Sequence, residues 1–311
     1  MPYRDDSSRW LLGALVLAVV AISHAAIFFR LAQPTHPLIA AGVRLLFASL
    51  LLAPIWLSSA TRRRAAKRQL VAAILAGICY ALHFGSWVWS LELTSIAASV
   101  TLVTTTPLLL GAYGFIVGRD APSRLLWLAI AISIAGVGVI GFGDWRATPR
   151  ALVGDALALV GAVAIASYFQ IGRRLGEELE IWSFGGVATF SGAALLLAGS
   201  TAASLGPWPD REGLVYLALS ALIPQLIGHT LLTWSLRHTT PTIVGMATVG
   251  EPAGAALLGW IWIDEKPPIV TAIGCTITAL AVLLALNAGS SRLSEPRHGG
   301  TLCERRNREL Q

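Results

Sequence analysis

The chain has 311 residues, 55% of them hydrophobic and 13% charged, with a formal net charge of +6 and a mean hydropathy of +0.68. Soluble domains carry about 25% charged residues, so this balance excludes a water-soluble protein and describes an integral membrane protein. No basic stretch is interleaved with aromatics, which argues against a nucleic-acid partner, and Cys79, Cys275 and Cys303 are too scattered for a disulfide framework or a metal site.

A helix needs about 20 apolar residues to cross a bilayer core. Ten segments qualify, and they set the fold-class expectation: all-α, with ten transmembrane helices. The first is Trp10–Phe29, read as a membrane span and not a cleaved signal, since Asp5 and Asp6 precede it and further spans follow. On it His24 shares a face with Ala21 and Phe28, as an interior polar residue or as part of a site. The second, Pro37–Ser58, carries Arg44, which either snorkels outward, anchors the helix or pairs with a carboxylate such as Glu251.

The third span, Leu70–Leu91, places Tyr80, His83, Phe84 and Trp87 at helical spacing on one face. Aromatics with an imidazole suit an amphipathic or aromatic solute, the rings stacking on its body and His83 donating to its carboxylate. The plainer alternative is a packed seam with His83 bonded to a backbone carbonyl. In the fourth span, Ile96–Val117, three hydroxyls (Thr104, Thr105, Thr106) precede Pro107 and predict a bent or broken helix. Leu125–Phe142 completes the first half.

The second half reads Leu152–Ile171, Ile181–Ala198, Leu214–Ser235, Thr240–Trp262 and Pro268–Leu286. Its eighth span holds Pro224, a further expected helix break, and Gln225 near the middle, with His229 one turn on. Either Gln225 and His229 line a pathway, or Gln225 satisfies carbonyls freed by the proline while His229 reaches the interface. The ninth holds Glu251 and Pro252, a pair for coupling or for a structural role. Ionisable residues inside spans are costly and normally face the interior.

The two halves are related. Trp89-Ser90-Leu91 recurs as Trp234-Ser235-Leu236, Thr94 as Thr239, Pro107 as Pro252, Gly114 as Gly259 and Pro122 as Pro267, all at an offset of 145. Five spans per copy is an odd number, so the second copy must lie inverted relative to the first. Inverted repeats are a transporter architecture with a midplane site between the halves, and the paired helix breaks at Pro107 and Pro252 mark it. The expected organisation is a cytoplasmic N-terminus (1–9), repeats over 10–143 and 152–286, and a disordered cytoplasmic tail (287–311). Loop Lys and Arg concentrate on the side of Arg62-Arg63-Arg64, Lys67 and Arg68, the side of both termini, which the positive-inside rule makes cytoplasmic.

With Thr94-Ser95, the small residues Ala97, Ala98 and Ser99, Pro107, Arg119-Asp120 and Gly136-Val137, then Thr239-Thr240, Glu251-Pro252 and Asp264-Glu265, the chain resembles the drug/metabolite transporter superfamily in its bacterial ten-helix, EamA-type branch. Arg44 also matches. Asp120 stands where that family often has Gly-Glu, and Thr106 stands where the second half has Glu251. The resemblance implies export or exchange across the inner membrane, amino acids and related metabolites as cargo, and a cavity lined by the first, third, fourth, sixth, eighth and ninth spans. From the sixth it adds Tyr168, beside Ser167, as a lining residue or an interfacial anchor.

These readings converge on a secondary transporter that exports small metabolites, hydrophobic or aromatic amino acids foremost, by alternating access. A multidrug exporter of small hydrophobic cations is the alternative, and a membrane-embedded enzyme the alternative of another class. No nucleotide loop, metal-ligand motif or clustered nucleophile and base is present in the sequence. Hence no cofactor and no catalytic residue are expected. The expected partners are a small-molecule substrate and the lipid bilayer, with the oligomeric state left open.

Overall fold

In the computed structural model, residues 5–58, 67–94, 96–118, 120–142, 148–178, 180–264 and 269–294 are described. The described residues form helices and connecting turns, with no strand among them. The first span consists of α1 (Asp5–Ile22) and α2 (Ala25–Leu31), followed by α3 (Pro37–Trp56) and α4 (Lys67–Leu93). The fourth span is split into α5 (Ile96–Val103) and α6 (Thr106–Val117), and α7 (Arg124–Phe142) closes the first half. In the second half α8 (Pro149–Leu175) and α9 (Ile181–Ala202) are continuous. The eighth span runs from α10 (Arg211–Ser220) through a π-helical segment (Ala221–His229) into α11 (Thr230–Ser235). The ninth is split into α12 (Pro241–Thr248) and α13 (Glu251–Ile263), and the tenth is α14 (Ile269–Ser294).

Six stretches are long and apolar enough to cross a membrane unaided: 9–31, 37–56, 67–93, 149–175, 181–202 and 211–235. Shorter apolar helical stretches lie at other positions, Thr106–Val117, Arg124–Val139 and Ala272–Ala285. Helix starts follow local chemistry. Thr148 accepts from the Ala151 amide at 3.1 Å ahead of Pro149, and the Asp210 carboxylate accepts from the Gly213 amide at 2.7 Å; both satisfy amides that a helix N-terminus leaves unpaired. The last helix continues to Ser294, past the expected end at Leu286. Of the expected N-terminal segment, residues 5–9 belong to α1. Residues 1–4, the 59–66 loop with its arginines, Arg119, Glu265, Pro267 and 295–311 lie outside the described residues.

Packing follows the repeat. The second span packs on the seventh (α3 on α9), the fifth on the tenth (α7 on α14) and the fourth on the ninth (α6 on α12). Each of these pairs maps onto itself when span n is exchanged for span n+5. The long α4–α8 interface, third on sixth, maps onto the eighth-on-first interface that α1 makes with the π segment and α11. Contacts that exchange in this way describe a pseudo-twofold, and the odd span count turns it into an inverted repeat. Small residues permit the approach: a Cβ on Gly77 of α4 would collide with Ser191 of α9. Large apolar side chains such as Val16, Leu17, Phe115, Ile116 and Leu283 face outward, as a lipid-facing surface requires.

Three spans break where polar side chains capture backbone carbonyls. Before the first break the Ser23 hydroxyl donates to the Val19 carbonyl at 2.7 Å and His24 Nδ1 to Val20 at 2.8 Å. Thr104, Thr105 and Thr106 donate to the carbonyls of Val100, Leu102 and Val103 at 2.9, 2.7 and 2.7 Å. Pro107 and Pro252 then occupy the first turns of α6 and α13, where a missing N–H costs nothing. Pro224 acts differently. It lies within the π segment, whose wider turn carries the chain past it without interruption.

Candidate functional site

The breaks surround a cavity at the centre of the protein. Arg44, His83, Phe84, Trp87, Thr106, Phe169, His229, Thr248 and Glu251 are among its lining residues, contributed by spans of both repeats. Its volume is about 40 Å³, room for about three waters, so its walls stand close together in this conformation.

Arg44 does not snorkel. Its side chain is fully buried, its guanidinium carbon lies 4.3 Å from the Phe84 ring centroid and 5.5 Å from that of Phe29, and Nη2 donates to Gln225 Oε1 at 2.9 Å. Nε and Nη1 have no hydrogen-bond partner. Among the described residues no ion pair joins Arg44 to Glu251, although both line the cavity. The Gln225 side-chain carbonyl is therefore directed at Arg44.

His83 Nδ1 lies 2.9 Å from the Gly161 carbonyl. A carbonyl only accepts, so Nδ1 carries the proton and Nε2 of the neutral ring offers a lone pair. The donation from His83 to a substrate carboxylate that the sequence suggests would therefore fall to Nε2 of a protonated ring. His83 stacks parallel to Trp87 (6.1 Å, 6°) and meets Phe84 edge-on at 4.6 Å. His229 is 9% exposed and packs against Phe84, so it does not reach the interface; its Nδ1 is buried without a partner, as is Trp87 Nε1.

The aromatic stripe of the third span divides. His83, Phe84 and Trp87 face the central cavity, while Tyr80 turns toward a second, water-sized void shared with Tyr168, Gln225 and Thr233. Tyr80 and Tyr168 stack at 4.1 Å and 16°. The Thr233 hydroxyl donates to the His229 carbonyl at 2.7 Å, so at the 2.8 Å contact between them the Tyr168 hydroxyl is the donor. Tyr168 is 1% exposed and is not an interfacial anchor.

His24 lies outside both voids, its ring packed on Phe28 and Trp262 at the crossing of the first and ninth spans. Glu251 begins α13, where the helix dipole favours a carboxylate. Sequence reasoning missed the apolar lining residues Ile165, Phe169 and Leu232, which no periodicity separates from ordinary core. It also missed Thr248, whose hydroxyl donates to the Gly245 carbonyl at 2.7 Å beside the second break. Among the described residues no three His, Cys, Asp or Glu side chains come together as metal ligands.

Known proteins share this architecture. A protein of known crystal structure superposes with a TM-score of 0.72 over 88% of this chain and 95% of its own, at 15% identity, which speaks for the fold alone. A protein of Archaeoglobus fulgidus described as an uncharacterized transporter is 24% identical over 290 residues, covering 90% of this chain and 97% of that relative. The model of the EamA-like transporter family matches twice, over residues 9–142 and 152–287. The chain, built as two inverted five-span repeats around a central cavity, belongs to the EamA-like transporter family.

Proposed function

We propose that this membrane transporter exports hydrophobic or aromatic amino acids by alternating access across the cytoplasmic membrane of a bacterium, with both termini in the cytoplasm. The observation that carries the reading is the central cavity. It lies between the repeats, it is walled by Phe84, Trp87 and Phe169, and it holds a buried cation, a carboxylate and two imidazoles within that apolar wall. A site with an aromatic body and convergent polar groups suits a small solute that is apolar at one end and charged at the other. The fully buried Arg44 weighs against small hydrophobic cations, which it would repel at close range. Cytoplasmic termini follow from the loop arginines.

Counterflow in proteoliposomes tests the reading. Vesicles preloaded with unlabelled phenylalanine, tryptophan, leucine or isoleucine are expected to accumulate external labelled phenylalanine transiently, only when the protein is present. His83→Ala is expected to abolish the signal. Absence of counterflow with every amino acid would remove the proposed cargo.

A further inference from the structure

Resting on the reading of the cavity as the transport site, we infer that it is electrically polarised to hold a zwitterion in one orientation, with Arg44 anchoring the cargo's carboxylate and Glu251 facing its ammonium group. On the second and third spans the buried lining atoms without a partner are donors, Arg44 Nε and Nη1 and Trp87 Nε1, with the Nε2 lone pair of a neutral His83 as an acceptor on the same spans. Neither guanidinium nor indole N–H can accept, so these groups are complementary to an anion. His229 Nδ1, on the eighth span, is buried beside them and also without a partner.

A second set of lining residues comes from the fourth and ninth spans, which pack on each other through α6 and α12. It presents acceptors. Glu251 supplies a carboxylate, while the hydroxyl protons of Thr106 and Thr248 already go to the carbonyls of Val103 and Gly245, each at 2.7 Å. Both threonines can therefore offer only lone pairs to a ligand.

Arg44 and Glu251 line one cavity without meeting. A buried charge is tolerated when it is paired and hydrogen-bonded, yet Arg44 has one neutral partner, Gln225, and two nitrogens with none. A ligand carboxylate between Arg44 and Trp87 satisfies those donors, and the ammonium group on the same carbon then points toward Glu251. The side chain of the cargo is left against Phe84 and Phe169. A solute with only one of the two charges leaves one wall unsatisfied.

The test is binding to the purified full-length protein, read by intrinsic tryptophan fluorescence, and it needs no transport. The ligands are phenylalanine and leucine, their amides, the amines phenethylamine and isoamylamine, and the deaminated acids 3-phenylpropionate and 4-methylpentanoate. A lost charge-assisted hydrogen bond to a buried group corresponds to about a 30-fold change. The amides and amines should bind about 30-fold or more weakly than the amino acids, and the deaminated acids about 10-fold more weakly. In Arg44→Gln, purified as a monodisperse helical protein, acid and amide should bind alike; Glu251→Gln should erase the advantage of the amino acid over the deaminated acid. If either variant fails to fold, the wild-type ligand series still decides. Amides binding as tightly as amino acids, or no saturable binding by any of these ligands, overturns the assignment. Carboxylate-dependent binding without counterflow leaves the assignment standing and removes the exporter reading, whereas counterflow with an indifferent ligand series does the reverse.

Discussion

Arg44 of the first repeat and Gln225 of the second meet at 2.9 Å in the middle of the protein, the arginine donating and the amide carbonyl accepting. The bond ties the second span to the π segment of the eighth and fixes the guanidinium over Phe84. It also stands between the two voids, since Arg44 lines the central one and Gln225 the smaller. A link between repeats at the central site is a contact that alternating access has to accommodate.

Two substitutions at Gln225 should act in opposite directions on stability. Gln225→Leu leaves the guanidinium without its neutral partner, at a cost of about 2 kcal/mol, seen as a lower apparent Tm in detergent. Gln225→Glu places a carboxylate against Arg44, so the Tm should be maintained or raised. The same change should weaken amino-acid binding, because the new carboxylate neutralises the charge that would hold the ligand's carboxylate. Unimpaired binding in Gln225→Glu would show that Arg44 does not serve the cargo.

At the arginine-rich end, Arg173 closes another link between the repeats. Its Nε and Nη2 donate to the two oxygens of Asp120 at 3.0 and 3.1 Å, and Nη1 donates to the Leu236 carbonyl at 3.1 Å. The side chains are 26% and 33% exposed, so solvent screens the pair and the coupling should be about 1 kcal/mol. Arg173→Ala removes both contacts and should lower the Tm more than Asp120→Ala. The double variant should be no less stable than Arg173→Ala alone. Additive losses in this cycle would mean the pair is not coupled.

Glycine substitutions should separate packing from helix propensity. At Gly77 a Cβ would strike Ser191, and at Gly254 it would strike Ser23, where the first and ninth spans cross. At Gly259 and Gly138 a Cβ would meet nothing within 4 Å. Replacing a helical glycine by alanine gains about 1 kcal/mol of propensity where space allows. Gly259→Ala and Gly138→Ala should therefore be neutral or stabilising, and Gly77→Ala and Gly254→Ala destabilising, in the same unfolding assay. Equal Tm values across the four would refute the close crossings.

The fold was legible because its signals are additive: ten apolar segments, an odd repeat and prolines at matching positions in the fourth and ninth spans each point the same way. The break in the first span was not. Ser23 and His24 take carbonyls from the preceding turn, and nothing at the corresponding place in the sixth span breaks α8. The site was half legible. Periodicity put Tyr80, His83, Phe84 and Trp87 on one inward face, but it carries no information on depth along that face. Only packing against the sixth and eighth spans sends Tyr80 to Tyr168 and leaves the other three at the cavity. Which nitrogen of His83 carries a proton depends on Gly161, far away in sequence, and no local pattern encodes it.

That tautomer gives a test of what His83 does. Asparagine places an amide N–H near the position of Nδ1, so His83→Asn can keep the bond to the Gly161 carbonyl while removing the group at Nε2. Glutamine reaches further and places its amide near the position of Nε2, at the expense of the Gly161 contact. If His83 only pins the third span to the sixth, His83→Asn should retain both Tm and counterflow, and His83→Gln should lose Tm by about 1 kcal/mol, the worth of one buried hydrogen bond. If Nε2 faces the cargo, the order for transport reverses: His83→Asn keeps its Tm and loses counterflow, while His83→Gln retains more transport at lower stability. The cavity position of the ring favours the second pattern. Measuring Tm and initial counterflow rate on the same two preparations distinguishes them, because a purely structural histidine moves both readouts together and a cargo-facing one moves them apart.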